Sequence, residues 1–201
     1  MSTIIDDAIH SSVKFKEAGN VHLQKALNAI NEEERESYFK QALREYHNGY
    51  LYLRSVDMSE SKKEGMDEML TGFLEEKQKK TDEQKESIKK MKVAIWNNMS
   101  LIYLKQKKYE RVESLVEDIL RLEPGNEKAL IKGINSGLEV NDFEKTKKRI
   151  QDLEKLGTTK TEEVDKFKSR LESKIVESSK EWKDKFKNVF KKWDKGWLAC
   201  C

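Results

Sequence analysis

Apolar positions between residues 93 and 160 recur at helical spacing in two consecutive blocks, 93–126 and 127–160, each of 34 residues. In the first block Trp96, Met99, Leu101 and Tyr103 form one stripe. Val112, Val116, Ile119 and Leu120 form a second, after the polar KQKK at 105–108. Residues three or four apart share a helix face, so each stripe predicts one amphipathic helix. Pro124–Gly125 then stops the chain from continuing as helix. In the second block Leu130, Ile131, Ile134 and Leu138 precede a break at Asn141–Asp142. Phe143, Ile150, Leu153 and Leu156 follow, and Gly157 ends the block.

The same spacing reaches upstream and downstream. Residues 1–12 are polar and predict a frayed end or a short helix, with Ser11 or Ser12 as N-cap of the helix that follows. Val13, Phe15, Ala18, Leu23, Ala26, Leu27 and Ile30 make its stripe. NEEERES at 31–37 is a polar crossing or an exposed helix end, and Tyr38, Phe39, Ala42, Leu43, Tyr46, Tyr50 and Leu53 make the next helix. Residues 55–80 read as an insertion broken by Ser59, Ser61, Gly65 and Gly72. The Met66, Met69, Leu70, Phe73 and Leu74 stripe fits a short packed helix, and a mobile loop fits as well. Thr81–Gln84 has the form of a capping box opening a helix that runs on to Leu104. After Thr161, Val164, Phe167, Leu171, Ile175 and Val176 predict one long helix to about Trp193.

A helix–turn–helix unit with a 34-residue period resembles the tetratricopeptide repeat (TPR). Such a unit cannot bury its apolar face alone, so neighbours must stack and the last must be capped. The resemblance implies an all-α, three-repeat TPR helical solenoid over 13–160, with repeats at about 13–54, 93–126 and 127–160. The first is stretched: Gly19 and the Ala42, Tyr46, Gly49 series fit repeat slots only if extra residues in 24–37 lengthen the helices. The 161–179 segment is then the capping helix, and 180–201 a basic amphipathic tail.

Composition agrees with an elongated helical protein: 36% hydrophobic, 38% charged, with one proline. The net charge is +3, but residues 180–201 hold seven lysines against three acids, so the body has no basic field of the kind nucleic acids need. The cysteines are Cys200 and Cys201 alone. No disulfide framework and no paired-cysteine metal spacing follows from them, which fits a reducing compartment. No basic stretch followed by an apolar core opens the sequence, which predicts no secretory leader, and Met-Ser rather than Met-Gly predicts no myristoylation. A cytoplasmic address is the expectation.

The polar residues carry the functional argument. In stacked repeats the first helix of each pair lines the concave groove, and here those helices bear Lys16 and Asn20, then Asn98, then Lys128 and Lys132. Three ammonium groups and two amides supply donors suited to an anion, and bonds to a carboxylate gain from its charge. FKEAGN (15–20), WNNMS (96–100) and NEKALIKG (126–133) resemble the carboxylate clamp of TPR co-chaperones. The resemblance implies that these five residues bind the C-terminal tail, ending Glu-Glu-Val-Asp, of heat-shock chaperones of the 70 and 90 classes. Lys132 stands where the family has Arg, which keeps the charge and loses the bidentate fork. A wider resemblance, through FKEAGN, FKQALREYH, IWNN and YERVESLVEDILRLEPGNEKAL, is to the tetratricopeptide repeat domain 9 family, small three-repeat proteins with a spacer before the second repeat. Against both stands the plain reading: a lone Lys–Asn pair is ordinarily a solvated face, and Asn at these slots can bond a neighbouring helix.

In the tail, Trp182, Phe186, Val189, Phe190, Trp193 and Trp197 recur at helical spacing among lysines. Packing of Trp182 to Phe190 on the final repeat is the plain expectation. The alternative is a partner helix for an anionic membrane or a calmodulin-like protein. Cys200 and Cys201 are candidates for palmitoylation, which would make the protein a peripheral membrane one.

His10, His22 and His47 are scattered, with His22 and His47 expected on stacking faces. No catalytic triad, phosphate loop or metal spacing occurs, which predicts neither enzyme activity nor cofactor nor metal. The expectation is a monomer or one part of a larger assembly. The rival to the clamp is a scaffold attached to membrane or cytoskeleton through the tail, the insertion or the convex face.

Overall fold

The computed structural model describes residues 4–61 and 80–197. Every regular element among them is an α-helix: α1 (Ile4–Asn28), α2 (Glu32–Ser61), α3 (Asp82–Lys105), α4 (Tyr109–Leu122), α5 (Glu127–Glu139), α6 (Phe143–Leu156) and α7 (Thr161–Trp197). The chain divides into two compact units, Met1–Pro124 and Gly125–Cys201. The division falls at the Pro124–Gly125 stop.

In the first unit α1 packs on α2 and α3, α2 on α3, and α3 on α4. Its core holds Leu23 and Ala26 of α1, Phe39, Ala42, Tyr46 and Leu53 of α2, Ile95 and Ile102 of α3, and Val112, Val116 and Ile119 of α4, all buried. Gly49 sets the closeness of the α1–α2–α3 contact. A Cβ there would lie 3.2 Å from both the Ser12 carbonyl and Phe15 Cβ, and 3.3 Å from Ile95 Cδ1. The lengthened helices expected over 24–37 are present, since only residues 29–31 separate α1 from α2.

Two boundaries differ from the sequence reading. Ser12 does not cap α1; it is fully buried inside the helix, and Ala8 and Ile5, one and two turns earlier, are buried too, so the buried stripe begins at Ile5. The Asp6 carboxylate, on the same added turns, accepts a 2.8 Å hydrogen bond from Gln84 Nε2. Ser59 and Ser61 do not break the chain but end α2, which runs past Leu53 and the buried Val56. The expected stripe from Met66 to Leu74 lies outside the described residues.

The caps follow the local chemistry. Thr81 Oγ1 accepts from the Gln84 amide at 3.2 Å while Gln84 Oε1 accepts from the Thr81 amide at 3.1 Å, which completes the capping box of α3. Between α3 and α4, Lys107 takes φ 57°, and the Lys108 amide closes back on the Tyr103 carbonyl at 2.9 Å.

In the second unit α5 packs on α6 and α7, and α6 on α7. Asn126 caps α5, its side chain accepting from the Ala129 amide at 3.0 Å. Asn141, at φ 59°, turns the chain into α6, which Asp142 caps; Asn tolerates this left-handed conformation better than most residues. Gly157 ends α6 at φ 63°. The core is Ala129, Leu130, Ile134 and Leu138 against Ile150 and Leu153, closed by Val164, Phe167 and Leu171 of α7. Arg149 is buried here, its Nη1 donating to the Gly133 carbonyl at 3.0 Å. Gly133 makes room for it: a Cβ would come within 2.9 Å of the guanidinium.

Beyond Leu171 the packing stops, contrary to two expectations. Ile175 and Val176 are exposed. Trp182 and Phe186, expected against the final repeat, are 65% and 48% exposed. Helix α5 and helix α6 are too short to cover them, at 13 and 14 residues against 37 for α7.

Candidate functional site

Helix α1 carries Lys16 and Asn20 one turn apart, so both face the same way. Gly19 lets this face approach α2. A Cβ on it would meet the Tyr46 ring at 2.6 Å, and Tyr46 is fully buried. The approach brings the Tyr46 hydroxyl within 2.7 Å of Asn20 Oδ1, to which it donates. From α3, Asn98 Nδ2 donates to the same oxygen at 2.8 Å. One amide oxygen thus ties three helices together.

This arrangement fixes the amide's direction. With its oxygen accepting twice, Asn20 has its Nδ2 donor left for other partners, and the residue itself is exposed. Burial pushes the Tyr46 phenol up to about 12, against a smaller opposing effect of the Asn98 side chain. Tyr46 is therefore a neutral donor at any ordinary pH. Lys16 is half-buried and has no hydrogen-bond or ion-pair partner among the described residues. On the same helix as Asn98, Trp96 meets Tyr50 of α2 with ring centroids 5.5 Å apart and planes tilted by 52°.

In the second unit Lys128 and Lys132 occupy successive turns of α5. Lys128 is exposed and Lys132 half-buried. The Lys132 ammonium donates to the Lys128 carbonyl at 3.1 Å, folding back over its own helix. Burial first, and the Lys128 charge second, lower its pKa to about 8. A cation held this way gains from any anion that approaches it.

The structure thus brings Asn20 and Asn98 into direct contact and sets Lys16 one turn away. Lys128 and Lys132 are neighbours within their own unit. Sequence reasoning missed Tyr46 as part of the arrangement, placing it only as a packing residue. Its signal was the pairing of a repeat-slot aromatic that bears a hydroxyl with a glycine on the facing helix. The plain reading of Asn as a helix-to-helix bond also holds: Asn98 makes one.

The other singled-out residues lie elsewhere. His47 is exposed rather than on a stacking face, and His22 is half-buried with its Nδ1 unpartnered among the described residues. Trp182 and Phe186 stack on each other, centroids 4.9 Å apart. The α7 backbone carries Phe190, Trp193 and Trp197, whose side chains are outside the described set, and Cys200 and Cys201 lie outside the described residues. No described helix is long and apolar enough to cross a membrane. Among the described residues no group of three or more His, Cys, Asp or Glu could hold a metal ion.

No protein-family model and no curated protein matches the chain. Among solved structures, the chain is similar to the C-terminal TPR-containing domain of a Plasmodium falciparum protein described as FK506-binding. The TM-score is 0.60 at 14% identity, over 89% of this chain and 95% of that one. At that identity the likeness speaks for the fold. The chain has an all-α fold of the TPR helical-repeat class.

Proposed function

We propose that the chain is a cytoplasmic TPR adaptor, a co-chaperone that binds the acidic C-terminal peptide of heat-shock chaperones of the 70 and 90 classes. Lys16, Asn20, Asn98, Lys128 and Lys132 are the residues assigned to the peptide. On this reading they lie on the first helices of three repeats, at about 13–54, 93–126 and 127–160. The ammonium groups meet the main-chain carboxylate and the last Asp side chain, and the two amides fix their orientation. The role is binding, with no chemistry on the peptide.

One observation supports this reading most: the doubly accepting oxygen of Asn20 turns its amide donor outward beside the unpartnered Lys16. Titration with an acidic C-terminal pentapeptide tests the proposal. Lys16→Ala or Lys128→Ala each weakens binding by about 1.5–3 kcal/mol, the worth of a hydrogen bond to a charged group. Affinity unchanged in both variants defeats it.

A second reading, a scaffold attached through its C-terminal helix, draws on the exposed Trp182–Phe186 pair. The two are compatible, because no residue is shared between them.

A further inference from the structure

Helix α7 does two different things along its length. Its first three turns bury Val164, Phe167 and Leu171 on the second unit. No described side chain after Leu171 is buried, although the helix continues to Trp197, about 39 Å further at 1.5 Å per residue. A helix that needed only to cap the repeat could have ended there.

The apolar stripe nevertheless continues. At about 100° per residue, Leu171, Ile175, Trp182 and Phe186 fall within about 60° of one another. Packing has ended, yet Ile175, Trp182 and Phe186 are 41%, 65% and 48% exposed. The two rings stack with an 18° angle between planes, presenting one broad apolar surface. Sequence positions 189, 190, 193 and 197 keep the same spacing and are all apolar. The remaining arc is mixed with a basic excess, since residues 172–197 hold eight lysines against five acids. Lys180, Lys183, Lys185 and Lys187 are all exposed on it, and residues 180–197 hold seven lysines against three acids.

We propose that the segment 172–197 of α7 lies along an anionic phospholipid bilayer, with Ile175, Trp182 and Phe186 in the acyl boundary and the lysines among the headgroups. Three features select this occupant. The Trp182 indole, with its polar N–H, sits well at headgroup depth with Phe186 stacked on it, and the lysines around them draw the helix to negative lipid. A second copy of the chain is disfavoured, because pairing two such stripes would set lysine flanks against lysine flanks. The helix also has too many charges to insert across a bilayer, so it would lie in the interface. The assignment is independent of the peptide site, which uses none of these residues.

Co-sedimentation of the full-length protein with vesicles tests it, comparing phosphatidylcholine alone with phosphatidylcholine containing phosphatidylserine. The expected result is binding to the mixed vesicles at least about tenfold tighter than to the neutral ones, and weaker at high salt, since each lysine near the surface adds to the attraction. The double variant Trp182→Ser, Phe186→Ser loses most of this binding while its helical circular dichroism and melting temperature stay as in the parent. Lys183→Glu, Lys187→Glu loses the preference for the anionic vesicles. No binding to the mixed vesicles overturns the proposal, as does equal binding to neutral ones. Calcium-dependent capture by calmodulin without vesicle binding overturns it in favour of a protein partner. Self-association that requires Trp182 and Phe186, again without vesicle binding, overturns it in favour of a dimer.

Discussion

The Tyr46 hydroxyl of α2 donates to Asn20 Oδ1 of α1 at 2.7 Å, across the contact that Gly19 leaves open. This bond links the packing of the first hairpin to the direction of the amide assigned above to the peptide. Removing the hydroxyl should therefore disturb stability and recognition together. Tyr46→Phe keeps the ring and loses about 0.5–1.5 kcal/mol of stability in urea unfolding, the net worth of one hydrogen bond. It also weakens the acidic peptide, because Asn20 keeps only its bond to Asn98. A double-mutant cycle with Asn20→Ala separates this coupling from ring packing.

The same phenol predicts a loss of stability in alkali. Its pKa is about 12 in the folded chain and about 10 in an unfolded one. Between these values the folded state keeps a proton that the unfolded state has lost, so stability falls as pH rises through the window. Tyr46→Phe removes this contribution. Melting temperatures measured from pH 9 to pH 12 should fall more steeply in the parent than in the variant.

Gly19→Ala places a methyl group 2.6 Å from a ring that cannot turn away. The hairpin must shift, at a cost of about 1–3 kcal/mol for overpacking. Gain of helix propensity on replacing Gly works against this by about 1 kcal/mol. A net loss by denaturant unfolding, together with weaker peptide binding, is the expected outcome.

Lys132 gives binding and stability opposite pH dependences. Its pKa is lowered to about 8 when folded, against about 10.4 unfolded. Between these values the unfolded state binds more protons, so this residue's contribution to stability rises with pH. Peptide affinity instead falls as pH rises through 8, because the ammonium that meets the carboxylate is lost. Lys132→Arg, charged throughout, flattens the affinity profile and adds a bidentate donor. Calorimetric titrations at pH 7 and pH 9 check both.

Much of this fold was legible in the residues because helices write their period into apolar spacing. Val112, Val116 and Ile119 are all buried as their spacing requires, Thr81 marks a helix start by its side-chain oxygen, and Asn141 and Gly157 mark ends by their left-handed backbone. Ser12 misled because a small polar residue preceding a stripe resembles a cap; only the contact with α2 shows it inside the helix. The tail misled for a related reason. Spacing reports which residues share a face, and says nothing of whether a partner element is long enough to cover it, so Trp182 and Phe186 looked like core. Of the candidate site, the residue types were readable on each helix. The Tyr46–Asn20–Asn98 bonds join residues 26 and 78 positions apart, and no local pattern encodes such a meeting.

The account turns on a single interaction, that of the lysines and outward amides with a free carboxylate at the end of a peptide. Calorimetric titration of the unmodified protein with one acidic pentapeptide, as the free acid and as the C-terminal amide, measures it directly. The account predicts that amidation weakens binding by about 1.5–3 kcal/mol, since a charge-assisted contact becomes a neutral one. Equal affinity for the two peptides would contradict it.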